Sequence, residues 1–266
     1  GAIGITCQKL GEAEVMVGGG VGPDVLIPYN IIGQRKLERL TALACRAHMT
    51  VAADSEYTVD GLSQAAANAA VTVGVVVELF QGRTGVIDAQ AAAELGQKIA
   101  SAPGLELRGI MIMPSSHDQR PFIQETLDLF DRSGLPHPIV SGGCTPYCFI
   151  AHEIPELTEF RAGEYPTGGL KHLLGKTHTV DQCCLRVLAT VVSRPQAASA
   201  IIDAGSKAMS AAIRPDLDAT NMGHIVEYPQ ARFTGASEEH GSVDLSSCPN
   251  PPQIGERVQV IPVHPC

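Results

Sequence analysis

Seven short apolar runs, separated by amphipathic stretches, limit the folds open to this chain more than any other feature. The runs are AIGIT (2–6), DVLIP (24–28), MTVAA (49–53), TVGVVVELF (72–80), LELRGIMIM (105–113), PIV (138–140) and LTEFR (157–161). Each is nearly continuous in hydrophobicity, as a strand buried on both faces must be. Between them lie helical patterns such as QRKLERLTALACRAH (34–48) and AQAAAELGQKIASA (89–102). In the first, Leu37, Leu40, Leu43 and Ala44 fall on one face. Strand and helix in alternation predict an α/β fold with a parallel sheet.

After Leu185 the character changes. RVLATVVSR (186–194), SAIIDAG (199–205), HIVEYPQARFTG (224–235) and RVQVIPV (257–263) read as strands punctuated by Pro and Gly, with no long helical pattern between them. The division is therefore expected near residue 185, with domains over 1–185 and 186–266. Seven strand units precede it, whereas a closed parallel barrel needs eight. The first run begins at residue 2, so one βα unit is expected to be missing ahead of it.

A formal charge of −9 argues against nucleic acid as a partner, because phosphate backbones need clustered Lys and Arg. No apolar run reaches about 18 residues, so no membrane span is expected, and the first residues lack the pattern of a secretion signal. The eight cysteines form no compact framework and no CxxC pair, which favours reduced thiols in a cytoplasmic protein. Cys45 and Cys184 lie in apolar helical patterns and are expected to be core filler.

Several short motifs carry chemistry. SGGCTP (141–146) follows the strand PIV; its glycines let backbone N–H groups converge, and Ser141 and Thr145 add hydroxyls, a combination that suits phosphate. The plain alternative is a tight turn. RAGEY (161–165) follows the next strand in the same way, and loops after the last two strands are where parallel barrels commonly bind phosphate. Arg83 in GRTGV (82–86) is a cation at a strand end or an exposed turn residue. Gln8 faces the strand ends or lies on a helix start. Lys9 and Lys207, near strand ends, could each form an imine, but Lys9 reads as helix surface and Lys207 as a strand residue packed near the domain boundary. His240 in SEEHG (237–241), crowded by two carboxylates, is a pH-sensitive cluster or, more simply, the end of a solvated hairpin. His264 and Cys266, spaced H-x-C, would point the same way on an extended segment and could share one metal ion.

The strings ITCQKLGEAEVM, DVLIPYNIIG, GRTGV, SGGCTP, CLRVLATVVSRP with IIDAGSKAMS, IVEYPQARF, SEEHG and GERVQVIPVHPC together resemble the D-threonine aldolase and D-serine dehydratase family. The likeness spans nearly the whole chain. It implies an alanine-racemase-like (β/α)8 barrel, its first βα unit missing here, followed by an all-β domain. It also implies pyridoxal 5'-phosphate, a divalent metal (zinc, or else manganese), a small D-amino acid substrate and a homodimer. By this resemblance Ser141, Gly142, Gly143 and Thr145 hold the cofactor phosphate. Gly163 and Glu164 add backbone donors, while Arg83 and Gln8 lie by the ring. His264 and Cys266 form the metal pair, and Cys266 tilts the chemistry toward loss of water rather than aldol cleavage.

Two departures from the family pattern stand out. Its cofactor-attaching lysine lies in a stretch like H-x-K-T-H-K, and no such stretch is present. Met113 also stands where a Tyr often does. The expected activity is that of a metal-assisted lyase on 3-hydroxy D-amino acids, with this chain by itself inactive. The alternatives are a non-catalytic relative that binds pyridoxal phosphate and an inactive fragment.

Overall fold

A computed structural model describes residues 1–209 and 221–265. The chain divides into two compact units, 1–161 and 162–266. This division precedes the change in sequence character near 185.

The first unit is a seven-stranded parallel sheet in sequential order. Its strands are β1 (Ile5–Thr6), β2 (Asp24–Ile27), β3 (His48–Ala53), β4 (Val73–Glu78), β5 (Leu105–Met111), β6 (Ile139–Gly143) and β7 (Glu159–Arg161). All seven apolar runs became strands. Sequential parallel order with a helix in most crossovers is the wiring of an alanine-racemase-like barrel wall. The helices are α1 (Leu10–Gly18), α2 (Gln34–Ala44), α3 (Glu56–Ala69), α4 (Ala89–Ser101) and α5 (Arg120–Arg132).

Both faces of this sheet are covered, which explains why the runs are continuous rather than alternating. One face packs Val51, Val75, Val77 and Ile110 against Leu62, Ile99 and Phe130 of the helices. The other gathers Leu26, Ala52, Val76 and Met111 into a smaller cluster. Local chemistry sets the helix starts: the Ser55 and Asp88 side chains accept from the backbone N–H groups of Thr58 and Ala91, capping α3 and α4. Helix α2 stops at Ala44, short of the expected 48, because His48 already opens β3. Gly109 (φ 125°) sits where the β4–β5 register shifts. A Cβ there would overlap the Ile139 carbonyl oxygen of β6, so only glycine allows this approach.

The second unit holds a short helix, α6 (Leu170–Leu174), and a six-stranded antiparallel sheet. Its strands are β8 (Val187–Gln196), β9 (Ser199–Ile202), β10 (Gly223–Ile225), β11 (Arg232–Ala236), β12 (Gly241–Asp244) and β13 (Arg257–Pro262), in the order β10-β13-β8-β9-β12-β11. Its core joins Val191, Ile202, Phe233, Val243, Val258 and Val260. SEEHG forms the turn from β11 to β12, with His240 exposed as expected. Strand β12 was not expected.

The cysteines correct one expectation. Cys45 and Cys184 are exposed, and Cys7 and Cys183 are the buried pair. Cys45 falls just past the end of α2, so it never reaches the face that α2 buries. Cys184 follows a 3-10 turn rather than continuing a helix. Among the described residues no helix is long and apolar enough to cross a membrane.

Candidate active site

Two clusters of charged side chains lie outside the apolar cores, one in each unit.

In the first unit the register places Glu78, Met111, Ser141 and Glu159, which opens β7, in one row across β4 to β7. Arg161 ends β7 and turns back into this row. Its Nε donates to Ser141 Oγ at 2.9 Å, and its Nη2 donates to Ile112 O at 2.9 Å and Ser141 O at 3.3 Å. Met113 Sδ lies 3.9 Å from Nη1. Burial holds the guanidinium below its ordinary pKa, although Glu159 and Glu78 pull the other way. Its hydrogen-bond partners among the described residues are all neutral. Glu78 is buried at the end of β4, accepting from Thr84 Oγ1 at 2.9 Å. Its Oε2 has no partner among the described residues, and burial pushes its carboxyl up. The charge of Arg83 partly offsets that rise.

The expected site residues fall into place unevenly. Ser141, Gly142, Gly143 and Thr145 are all buried at the end of β6 and just beyond it. Ser141 Oγ accepts from Arg161 and keeps its own proton to donate. The Gly143 N–H is already given to Ser115 Oγ at 3.0 Å, and its carbonyl accepts from Ser115 N–H. Gly142 leaves no room for a side chain, since a Cβ would stand 2.6 Å from Ser115 Oγ and 2.8 Å from Leu157. Arg83 is exposed in the β4–α4 turn, where Gly85 N–H donates to Asp54 Oδ2 at 3.0 Å. Gln8 is exposed two residues past β1, its N–H on Glu12 Oε2 at 2.7 Å.

Gly163 and Glu164 belong to the second unit. The Glu164 carbonyl accepts from Thr167 N–H (3.1 Å) and Gly168 N–H (2.9 Å), a turn that leads into α6. Gly169 (φ 147°) starts that helix. A Cβ there would come 3.0 Å from Val263 O and from Pro265 Cδ, so glycine lets α6 lie against the 262–265 segment. The result is a buried cluster. Glu164 Oε2 is paired with Lys171 Nζ, and Glu164 Oε1 lies 2.9 Å from His264 Nδ1. Lys171 Nζ is also 2.6 Å from that same Nδ1. The Glu164 carboxyl is held down at about 2: burial raises it, but the combined pull of His264 and Lys171 outweighs burial. His172, fully buried, has no hydrogen-bond partner on either nitrogen among the described residues, and burial lowers it to about 4. Its ring packs edge-on to His178, 4.9 Å between centroids.

Sequence reasoning passed over Arg161, Lys171 and His172. The signals were present: a charged residue closing a buried run, and a Lys-His pair set between leucines in GGLKHLL. Cys266 lies outside the described residues. His264 is described, and its Nε2 has no bond among them; no group of three or more His, Cys, Asp and Glu gathers there as a metal cage.

The model of the alanine racemase N-terminal domain matches residues 1–171, and that of a putative serine dehydratase domain matches 184–266. The chain is 28% identical to a D-threonine aldolase from Arthrobacter sp., over 99% of this chain and 72% of that protein. It is 26% identical to a 3-hydroxy-D-aspartate aldolase from Paracoccus denitrificans, with the same coverage. The crystal structure of D-threonine aldolase from Filomicrobium marinum superposes with a TM-score of 0.82 at 28% identity, covering 99% of this chain and 74% of that one.

Proposed function

Because the chain belongs to the alanine racemase N-terminal domain family, we propose that it is the body of a pyridoxal-phosphate-dependent lyase acting on 3-hydroxy D-amino acids. The likeness to D-threonine and 3-hydroxy-D-aspartate aldolases supports the substrate class. The observation that carries the reading is Arg161: a half-buried cation at the C-terminal end of a parallel sheet, with no carboxylate hydrogen-bonded to it among the described residues. A cation in that position favours an anionic ligand.

The residues present fit the cofactor at that end. Ser141 O–H and the SGGCTP backbone would hold its phosphate, with Arg161 behind them as the fixed positive charge. The engaged Gly143 N–H shifts the burden of donation to Ser141. When bound, pyridoxal phosphate supplies an electron sink for the bond broken at the substrate's α-carbon. Arg83, exposed in the β4–α4 turn, is suited to the substrate or the ring oxygen, and Gln8 to the opening. On the second unit, His264 Nε2 has no partner among the described residues, and a divalent metal held there with Cys266 would supply Lewis acidity.

A second reading is a protein that holds the cofactor without turnover, and the lysines of this chain are the groups that test it. The six are Lys9, Lys36, Lys98, Lys171, Lys176 and Lys207, and none stands on β1–β7. Lys9 is exposed at the start of α1, and Lys171 is committed to Glu164. Borohydride reduction with pyridoxal phosphate, followed by peptide mapping, separates the readings. The 266-residue chain is expected to bind the cofactor with no single lysine labelled. The same chain joined to a strand carrying the family's lysine is expected to release aldehyde from D-threonine or pyruvate from D-serine, and nothing from the L-forms. Turnover of L-substrates, or none of either, contradicts the lyase reading.

A further inference from the structure

Glu78 is a buried carboxyl with half its bonding unmet. It closes β4 and is only 5% exposed. Its Oε1 accepts from Thr84 Oγ1 at 2.9 Å, whereas Oε2 is buried and has no partner among the described residues. Side chains alternate along a strand, so Glu78 shares a face with Val76, and its register partner is Met111. Val76 and Met111 belong, with Leu26 and Ala52, to the smaller apolar cluster, so Glu78 stands over that cluster at the C-terminal end of the sheet. An acceptor buried there costs about 1–3 kcal/mol while unmet. The nearby donors are spent elsewhere. Arg161 gives its N–H groups to Ser141 and Ile112, and the Gly85 N–H goes to Asp54 Oδ2. Arg83 is exposed in its turn.

We propose that Glu78 Oε2 is an acceptor subsite for a nitrogen-borne proton of the bound ligand, at the end of that ligand remote from Arg161. Resting on the lyase reading, this names a second anchor for the cofactor of that same site. A divalent ion is a poor occupant, since among the described residues no group of three or more His, Cys, Asp and Glu gathers to hold one. A D-amino acid carries its ammonium and carboxylate on one carbon. Glu78 and Ser141 stand two strands apart, roughly 10 Å at about 4.8 Å per strand, so an amino acid that reached one would miss the other. In pyridoxal phosphate the phosphate and the ring nitrogen are set apart by part of the ring and a methylene ester link, which suits that spacing. A carboxylate on the ring N–H keeps the nitrogen protonated, and this strengthens the ring as an electron sink. A donor at Oε2 would also offset the rise that burial imposes on this carboxyl.

The test titrates the whole chain with three probes: pyridoxal phosphate, its 1-deaza analogue with C–H in place of the ring nitrogen, and inorganic phosphate. The wild type is expected to bind pyridoxal phosphate at least about tenfold tighter than the analogue. Glu78→Leu is expected to erase that difference and to leave the affinity for inorganic phosphate unchanged. Equal affinity of the wild type for pyridoxal phosphate and the analogue overturns the subsite, and this comparison needs no substitution. So does a difference that survives Glu78→Leu. A loss in Glu78→Leu that extends equally to the analogue and to inorganic phosphate marks a structural role only and overturns it as well. If pyridoxal phosphate does not bind the wild type at all, the lyase reading falls and the subsite with it; binding without discrimination removes the subsite alone.

Discussion

Arg161, half-buried at the end of the parallel sheet, and Lys171, buried on the short helix of the second unit, satisfy a positive charge by different means. Arg161 spreads its donors over a hydroxyl and two carbonyls, with carboxylates near but not bonded. Lys171 meets a carboxylate directly, and a histidine besides. The first arrangement leaves the guanidinium without a directly bonded carboxylate among the described residues and so can accept an anion from outside. The second is neutral as it stands and has little to gain from an anion. The same contrast appears in the titrating neighbours: Glu78 is pushed up by burial in the first unit, whereas Glu164 is held down in the second.

The largest break in this comparison should come from Lys171→Met. Removing one partner of a buried pair strands the other, at a cost of about 3–5 kcal/mol. Denaturant unfolding should register it, and Glu164→Leu added to Lys171→Met should recover most of the loss. A single-variant cost below about 1 kcal/mol would mean the pair is solvated after all.

Acid should separate the two units next. His172 has a folded pKa of about 4 against an ordinary 6.5, so between those values the unfolded chain binds the extra proton. Its contribution is complete above pH 6.5 and drains away as pH falls toward 4, on the order of 3 kcal/mol. Hydrogen exchange of second-unit amides, followed from pH 7 to 4.5, should show progressive loss of protection that His172→Gln flattens. Glu78 carries the opposite sign. Its folded pKa is raised, so the folded state holds more protons above 4.5 and its term is lost as pH rises.

Arg161→Met should cost less than Lys171→Met, about 2 kcal/mol, because it strands neutral carbonyls rather than a charge. The smallest effect expected is a gain: Glu78→Gln should stabilise the first unit near neutral pH by up to about 1 kcal/mol and remove its pH slope. A loss there would show that the carboxylate has a partner it needs.

Much of this was legible in the residues. The seven runs became β1–β7 because strands covered on both faces can hold almost nothing polar, which writes them plainly. Strand β12 was hidden: GSVD is short, with only Val243 as a strong strand former, and its pairing with β9 and β11 is what makes it a strand. The loops SGGCTP and RAGEY drew attention to their glycines, and Arg161 was missed. A charge closing an apolar run looks like the strand's exit to solvent; only the fold shows it folding back. Lys171 was missed for a related reason, since a lysine between leucines reads as a surface position until Glu164, seven residues earlier, is seen beneath it.

The account depends most on the claim that Arg161 serves an anion, the phosphate of the cofactor. Binding of pyridoxal phosphate and of pyridoxal, compared by absorbance titration on the same protein, tests it. The phosphorylated form should bind at least about tenfold tighter, a difference of about 1.4 kcal/mol. Inorganic phosphate should displace it, and Arg161→Met should erase most of the difference. Equal affinity for the two compounds, unchanged by the substitution, would contradict it.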